Sequence, residues 1–121
     1  MALSDPQTIT VNAVAQVLKR TSSGINTGTF RTNDGNYTLE VAHSYGKRQR
    51  HTVVLRQRKI AADPLAPTLN VEVTQSVRVT IDTPTNLAFT VAENKLLWDG
   101  FAAWLAASSG AAETSILGGE N

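Results

Sequence analysis

The sequence predicts an α+β protein, an antiparallel β-sheet with an N-terminal hairpin followed by two C-terminal α-helices. Three observations carry this. Leu69–Asp82 alternates apolar and polar residues over fourteen positions, interrupted on its apolar side only by Gln75. Asn33-Asp34-Gly35-Asn36 is a strong hairpin-turn signal. From about Thr90 the apolar period lengthens from two to the helical repeat.

In chain order, Thr8–Val11 and Val14–Arg20 flank Asn12-Ala13, which suits a tight turn. Thr29–Thr32 is a short strand before the Asn33–Asn36 turn. Tyr37–Tyr45 then alternates, with Tyr37, Leu39, Val41, His43 and Tyr45 on one face and Thr38, Glu40, Ala42 and Ser44 on the other. Gly46-Lys47 turns the chain into Arg50–Ile60. Ala61–Thr68 holds Pro64 and Pro67 and is expected to be a loop. Leu69–Asp82 follows, and Thr83-Pro84-Thr85-Asn86 breaks it. In the helical region Val91, Lys95, Trp98, Ala102 and Leu105 share a stripe, with Leu97, Phe101 and Trp104 beside it. Gly110 ends or kinks this helix, Ala111–Leu117 forms a second short one, and Gly118-Gly119 stops it.

The expectation is a single domain over 1–121, with a hairpin region to about residue 35, a main sheet over 36–82 and helices over 90–117. One helix of this length is narrow cover for so wide an apolar sheet face. Two subunits exchanging helices across a two-fold axis would solve the problem, with Trp98, Phe101, Trp104 and Leu105 at the dimer interface. A monomer whose helix covers its own sheet is the alternative.

Composition excludes several functions. Cysteine is absent, so there are no disulfides, thiol nucleophiles or thiolate metal sites. No apolar run approaches the roughly 18 residues of a membrane span. Met1–Asn12 lacks a basic start and an apolar stretch, so no secretory signal is expected. Carboxylates are scattered, no phosphate-binding glycine loop exists, and Ser108-Ser109 suits helix termination better than nucleophilic chemistry. Enzymatic activity and a cofactor are not expected. His43 and His51 lie on neighbouring predicted strands, but ordinary strand histidines are the simpler reading than a metal site.

Charge is divided by position. Residues 1–62 carry nine Lys/Arg against three acids, whereas residues 63–121 carry two against seven. Between Val41 and Ala62 there are six Lys/Arg, two His and no acid. Period two places Arg50, Thr52, Val54, Arg56 and Arg58 on one face of their strand. It places Asn70, Glu72, Thr74, Ser76, Arg78, Thr80 and Asp82 on the polar face of the next. If those strands pair, the two faces form a polar, basic surface able to contact phosphate, sugar and base edges, with single-stranded RNA as the natural target. A solvated sheet face is the bland alternative. Only 17% of the residues are charged, which favours a surface hidden in an assembly.

The chain as a whole resembles the coat proteins of the levivirus-like single-stranded RNA bacteriophages. The resemblance rests on the order and size of TITVNAVAQVLKR, EVAHSYGKR, RHTVVLRQRKI, TLNVEVTQSVRVTID, ENKLLWDGFAAWLAASS and AAETSIL. It implies an intertwined homodimer whose sheets join edge to edge, packed outside by exchanged helices. It implies an icosahedral shell, usually T=3, around genomic RNA, with the inner sheet face also binding an RNA hairpin as packaging signal and translational repressor. The virion, assembled in the bacterial host cytoplasm, would be its location. The positions matching the RNA-binding face are Arg50, Thr52, Arg56, Arg58, Asn70, Glu72, Thr74, Ser76 and Arg78. Ala61–Thr68 matches the loop around the five-fold and quasi-six-fold openings. Thr52 and Val54 have the residue types of the family's adenine pockets. The rival readings are a small dimeric nucleic-acid-binding protein that forms no shell, and an adaptor with no nucleic-acid role.

Overall fold

The computed structural model describes residues 3–62, 64–65, 68–85 and 89–120. They form two compact units, Met1–Thr83 and Pro84–Asn121.

The first unit is a six-stranded sheet whose strands lie side by side in chain order. They are β1 (Gln7–Val11), β2 (Val14–Gly24), β3 (Thr27–Arg31), β4 (Tyr37–Ser44), β5 (Arg48–Ala62) and β6 (Asn70–Pro84). β1 through β5 pair antiparallel. Asn12 and Ala13 join β1 to β2 with φ of 51° and 62°, the left-handed pair that a two-residue hairpin with native twist requires.

β2 runs further than expected. It continues through Thr21-Ser22-Ser23-Gly24, with a bulge between Arg20 and Ser22, and turns at Ile25-Asn26 into β3. That stretch has no apolar alternation to mark it as a strand, since both its faces are polar. The Asn33–Asn36 turn forms as expected. Thr32 donates its amide to the Tyr37 carbonyl at 3.1 Å and accepts the Gly35 amide at 3.0 Å. The Thr32 hydroxyl donates to Asp34 Oδ1 at 2.6 Å, and the Asn36 amide donates to the same oxygen at 3.0 Å. These two bonds hold the Asp34 carboxyl below its ordinary pKa of 3.8.

The β4–β5 register sets Tyr37 opposite Gln57 and Ser44 opposite Arg50. β6 lies next to β5. Arg48 meets Asp82 and Arg58 meets Glu72, so the start of β5 faces the end of β6 and the pair is antiparallel. The loop expected over Ala61–Thr68 is shorter, because Ala61 and Ala62 belong to β5; Asp63, Ala66 and Pro67 lie outside the described residues. Asn86, the last residue of the expected breaker, also lies outside them.

The sheet's core is small and lies on the odd-numbered face of β4 and β5. Leu18, Phe30 and Leu39 form it, with Ile9, Tyr37 and Val53 packed against them. Arg20 shares this face, its guanidinium 5.1 Å from the centre of the Phe30 ring. The core stops short of β6. Val71, Val73 and Val77 are 41%, 43% and 66% exposed in the single chain, and among the described residues no strand lies on the outer side of β6.

The second unit is α1 (Val91–Leu117). Thr90 caps it, its side chain accepting the Glu93 amide at 3.2 Å, a T-x-x-E start with an acid in the first turn. The helix is broken inside, as expected near Gly110: Ala107 is extended, and Ser108, Ser109 and Gly110 have φ of 54°, 59° and 79°. The result is a long helical segment and a short one, the latter ending at the Gly118 cap. Lys95 and Asp99 form an i,i+4 ion pair at 2.6 Å. Phe101 and Trp104 stack with ring centres 6.0 Å apart. Leu97, Trp98, Phe101 and Trp104 are nevertheless exposed in the single chain, and Leu105 is half-buried.

Candidate nucleic-acid interface

Strand alternation and register decide which side chains meet on the sheet's polar face. Across β4 and β5, Thr38 faces Arg56, Glu40 faces Val54, Ala42 faces Thr52 and Ser44 faces Arg50. Across β3 and β4, Arg31 faces Thr38 and Thr29 faces Glu40. The contacts Arg48–Asp82 and Arg58–Glu72 bring the even-numbered residues of β6 onto this face. The two polar faces that period two separates in the sequence therefore form one surface.

That surface is less purely basic than the sequence suggests. Arg56 is bonded to Glu40, Arg48 to Asp82 at 2.8 Å, and Arg50 approaches Asp82 at 3.6 Å. Arg58 Nη1 lies 3.8 Å from Glu72. Arginine still outnumbers carboxylate, and all these pairs are solvent-exposed enough to exchange partners at small cost.

A cavity of about 320 Å³ opens on this face, near the lower end of the roughly 300–1,000 Å³ typical of ligand pockets. Arg31, Arg56 and Arg58 supply its charge, Thr21, Thr29, Thr38 and Thr74 its hydroxyls, and Gly35 and Asn36 its rim. The Arg58 amide donates to the Asn36 carbonyl at 2.7 Å, drawing the β3–β4 turn against β5. Arg58 Nε is buried with no hydrogen-bond partner among the described residues. An unpaired donor of this kind is costly and suits an incoming acceptor such as a phosphate oxygen. A second cavity, of about 420 Å³, lies between β5 and β6 and is lined by Gln57, Lys59, Val73, Thr74 and Gln75.

Of the residues the sequence singles out, Arg56, Arg58 and Thr74 line the arginine cavity together, and Glu72 pairs with Arg58. Arg50 sits at the far end of β5, by Asp82, and Thr52, opposite Ala42 of β4, is half-buried. Asn70, Ser76 and Arg78 are exposed along β6 and do not line that cavity. Val54 is buried, at 6% exposure, and offers little surface to a ligand. Sequence reasoning misses Arg31, Thr38 and Asn36. The alternation of β4 gave Thr38 its face, but only the β3–β4 register brings Arg31 beside it.

Among the described residues no group of three or more His, Cys, Asp or Glu side chains converges. No helix among them is long and apolar enough to cross a membrane.

The fold is shared with known particles. The structure of a virus-like particle of bacteriophage AVE019 matches with a TM-score of 0.77 at 14% identity, covering 89% of this chain and 90% of that one. A virus-like particle of Beihai levi-like virus 21 matches with a TM-score of 0.73 at 12% identity, covering 96% and 94%. The bacteriophage GA capsid protein matches at 0.61 and 12% identity, covering 91% and 88%. No curated protein is similar in sequence to this chain. A family model described as the coat protein of phage phiCb5 matches residues 4–84, about two-thirds of the sequence. The protein is thus a structural component of a virion, not an enzyme, and it belongs to the phage phiCb5 coat protein family of the levivirus-like RNA bacteriophages.

Proposed function

We propose that this coat protein forms an icosahedral shell around single-stranded RNA, with the homodimer as its building block and the polar sheet face as its RNA contact. The observation that carries the RNA contact is the arginine cavity, with Arg58 Nε buried and unpaired beside Arg31 and Arg56. Backbone neutralisation by these arginines is sufficient for packaging. Hydroxyls from Thr38 and Thr74 at the same cavity suit sugar or base contacts, which a specific hairpin switch would need. Arg50, Thr52, Asn70, Glu72, Ser76 and Arg78 extend the surface on either side.

The dimer is supported by what one chain leaves bare. β6 presents an unpaired edge and exposed valines, and α1 presents Trp98, Phe101 and Trp104. Pairing of β6 with its copy would satisfy the backbone edge. Exchanged helices, with Leu105 in the same stripe, would cover the valines. Such particles would assemble in the host cytoplasm.

The test is size-resolved light scattering with the 260/280 nm absorbance ratio on freshly purified protein. A megadalton, nucleic-acid-rich species is expected. A nucleic-acid-free dimer that fails to grow when RNA is added would reject the shell and leave a small dimeric binding protein.

A further inference from the structure

His43 and His51 face each other directly across β4 and β5. The His43 amide bonds outward, to the Asn26 carbonyl at 2.8 Å. His43 and His51 therefore form a non-hydrogen-bonded cross-strand pair, the kind whose side chains stand closest. Their Nδ1 atoms are 2.8 Å apart, with the rings edge to face at 5.0 Å. Tyr45 flanks both rings, 6.4 Å from His43 and 6.1 Å from His51. Among the described residues neither imidazole forms an ion pair with a carboxylate, and each Nδ1 has the other as its hydrogen-bond partner.

From this convergence we propose that His43 and His51 form a two-nitrogen chelate for a divalent transition ion that prefers square geometry, Cu²⁺ above all. Nitrogens about 2.0–2.1 Å from a metal lie about 2.9 Å apart at adjacent corners of a square, but about 3.3–3.4 Å apart at a tetrahedron. The observed 2.8 Å spacing is close to the edge of that square, and a modest rotation of the rings would turn both nitrogens toward one ion. On binding, the proton shared between the rings moves to Nε2 of its own ring, so both Nδ1 lone pairs face the ion and no charge is lost. Water fills the remaining corners. The order of affinity for such a site is Cu²⁺ above Ni²⁺ above Zn²⁺. The site lies on the sheet face opposite the arginine cavity, so it is independent of the RNA reading.

The experiment uses the full chain with Cu²⁺ alone in a non-coordinating buffer, read by electron paramagnetic resonance and by isothermal titration. One Cu²⁺ per chain with two-nitrogen splitting is expected, together with a higher unfolding temperature. His43→Gln and His51→Gln are each expected to weaken Cu²⁺ at least about tenfold, and Zn²⁺ to bind wild type at least about tenfold more weakly than Cu²⁺. Equal Cu²⁺ affinity in wild type and both variants would overturn the proposal, as would a wild-type spectrum without two equivalent nitrogens. That spectrum decides the matter even if a variant fails to fold.

Discussion

The guanidinium of Arg31 occupies the space that a side chain on Gly35 would fill: a Cβ at Gly35 would run into Arg31 Nη2 and lie 3.0 Å from Nε. The same glycine has φ of +75°, a conformation L side chains rarely adopt. The turn's left-handed backbone thus favours glycine at position 35, and an added methyl would also push aside the flexible end of Arg31.

Gly35→Ala should therefore act twice. It should cost about 1–2 kcal/mol from the left-handed backbone alone, read as a lower urea midpoint. It should also displace Arg31 and reduce RNA affinity. A variant with wild-type stability and RNA content would contradict both arguments.

Asp34 gives the turn a pH dependence with a definite sign. Its carboxyl is held below 3.8, first by the Thr32 hydroxyl and then by the Asn36 amide. The stabilisation is fully present above that value and is lost as pH falls through the lower, folded-state pKa. Stability measured from pH 5 down to pH 2 should show this step in wild type and lack it in Asp34→Ala. Parallel curves would place the bond outside the energetics of folding.

Glu40 should restrain RNA binding, because it shares Arg56 with any phosphate. Glu40→Gln is expected to raise RNA affinity and steepen its salt dependence, since single-stranded RNA gives a log–log slope of about −0.7 for each phosphate neutralised. Arg58→Ala should flatten the slope by about that amount while circular dichroism shows the sheet intact. Unchanged slopes in both variants would remove this face from the interface.

Trp104 stacks on Phe101, yet it is 53% exposed in the single chain. Its loss should fall on association more than on the fold of one chain. Trp104→Ala is expected to weaken the dimer by at least about 2 kcal/mol, as interface aromatics commonly do. Sedimentation at a series of dilutions measures this. An unchanged dissociation constant would move the interface elsewhere.

The parts of the fold legible in the sequence are those where local chemistry and burial agree. Asn12-Ala13 and Asn33–Asn36 announce their turns, and Tyr37–Tyr45 and Leu69–Asp82 announce their faces through period two. Thr21–Gly24 was opaque because a strand polar on both sides has no period to detect. The candidate site was half legible for a similar reason. Alternation puts Arg56 and Arg58 on one face, but Arg31 joins them only through the β3–β4 register, and the neutralising roles of Glu40 and Asp82 depend on how β5 is registered against its two neighbours, β4 and β6. The close approach of His43 to His51 was foreseeable as a neighbourhood, whereas the 2.8 Å contact depends on which of the two cross-strand pair types they occupy.

The bare outer edge of β6 has a consequence for the newly made chain. A fifteen-residue, valine-rich strand paired with β5 on one side and bare on the other is a template for any other strand, right or wrong. On the dimer reading, the chain reaches a safe state only by meeting a copy of itself. Maturation is then a second-order race against misassembly, and dilution becomes a denaturant in its own right.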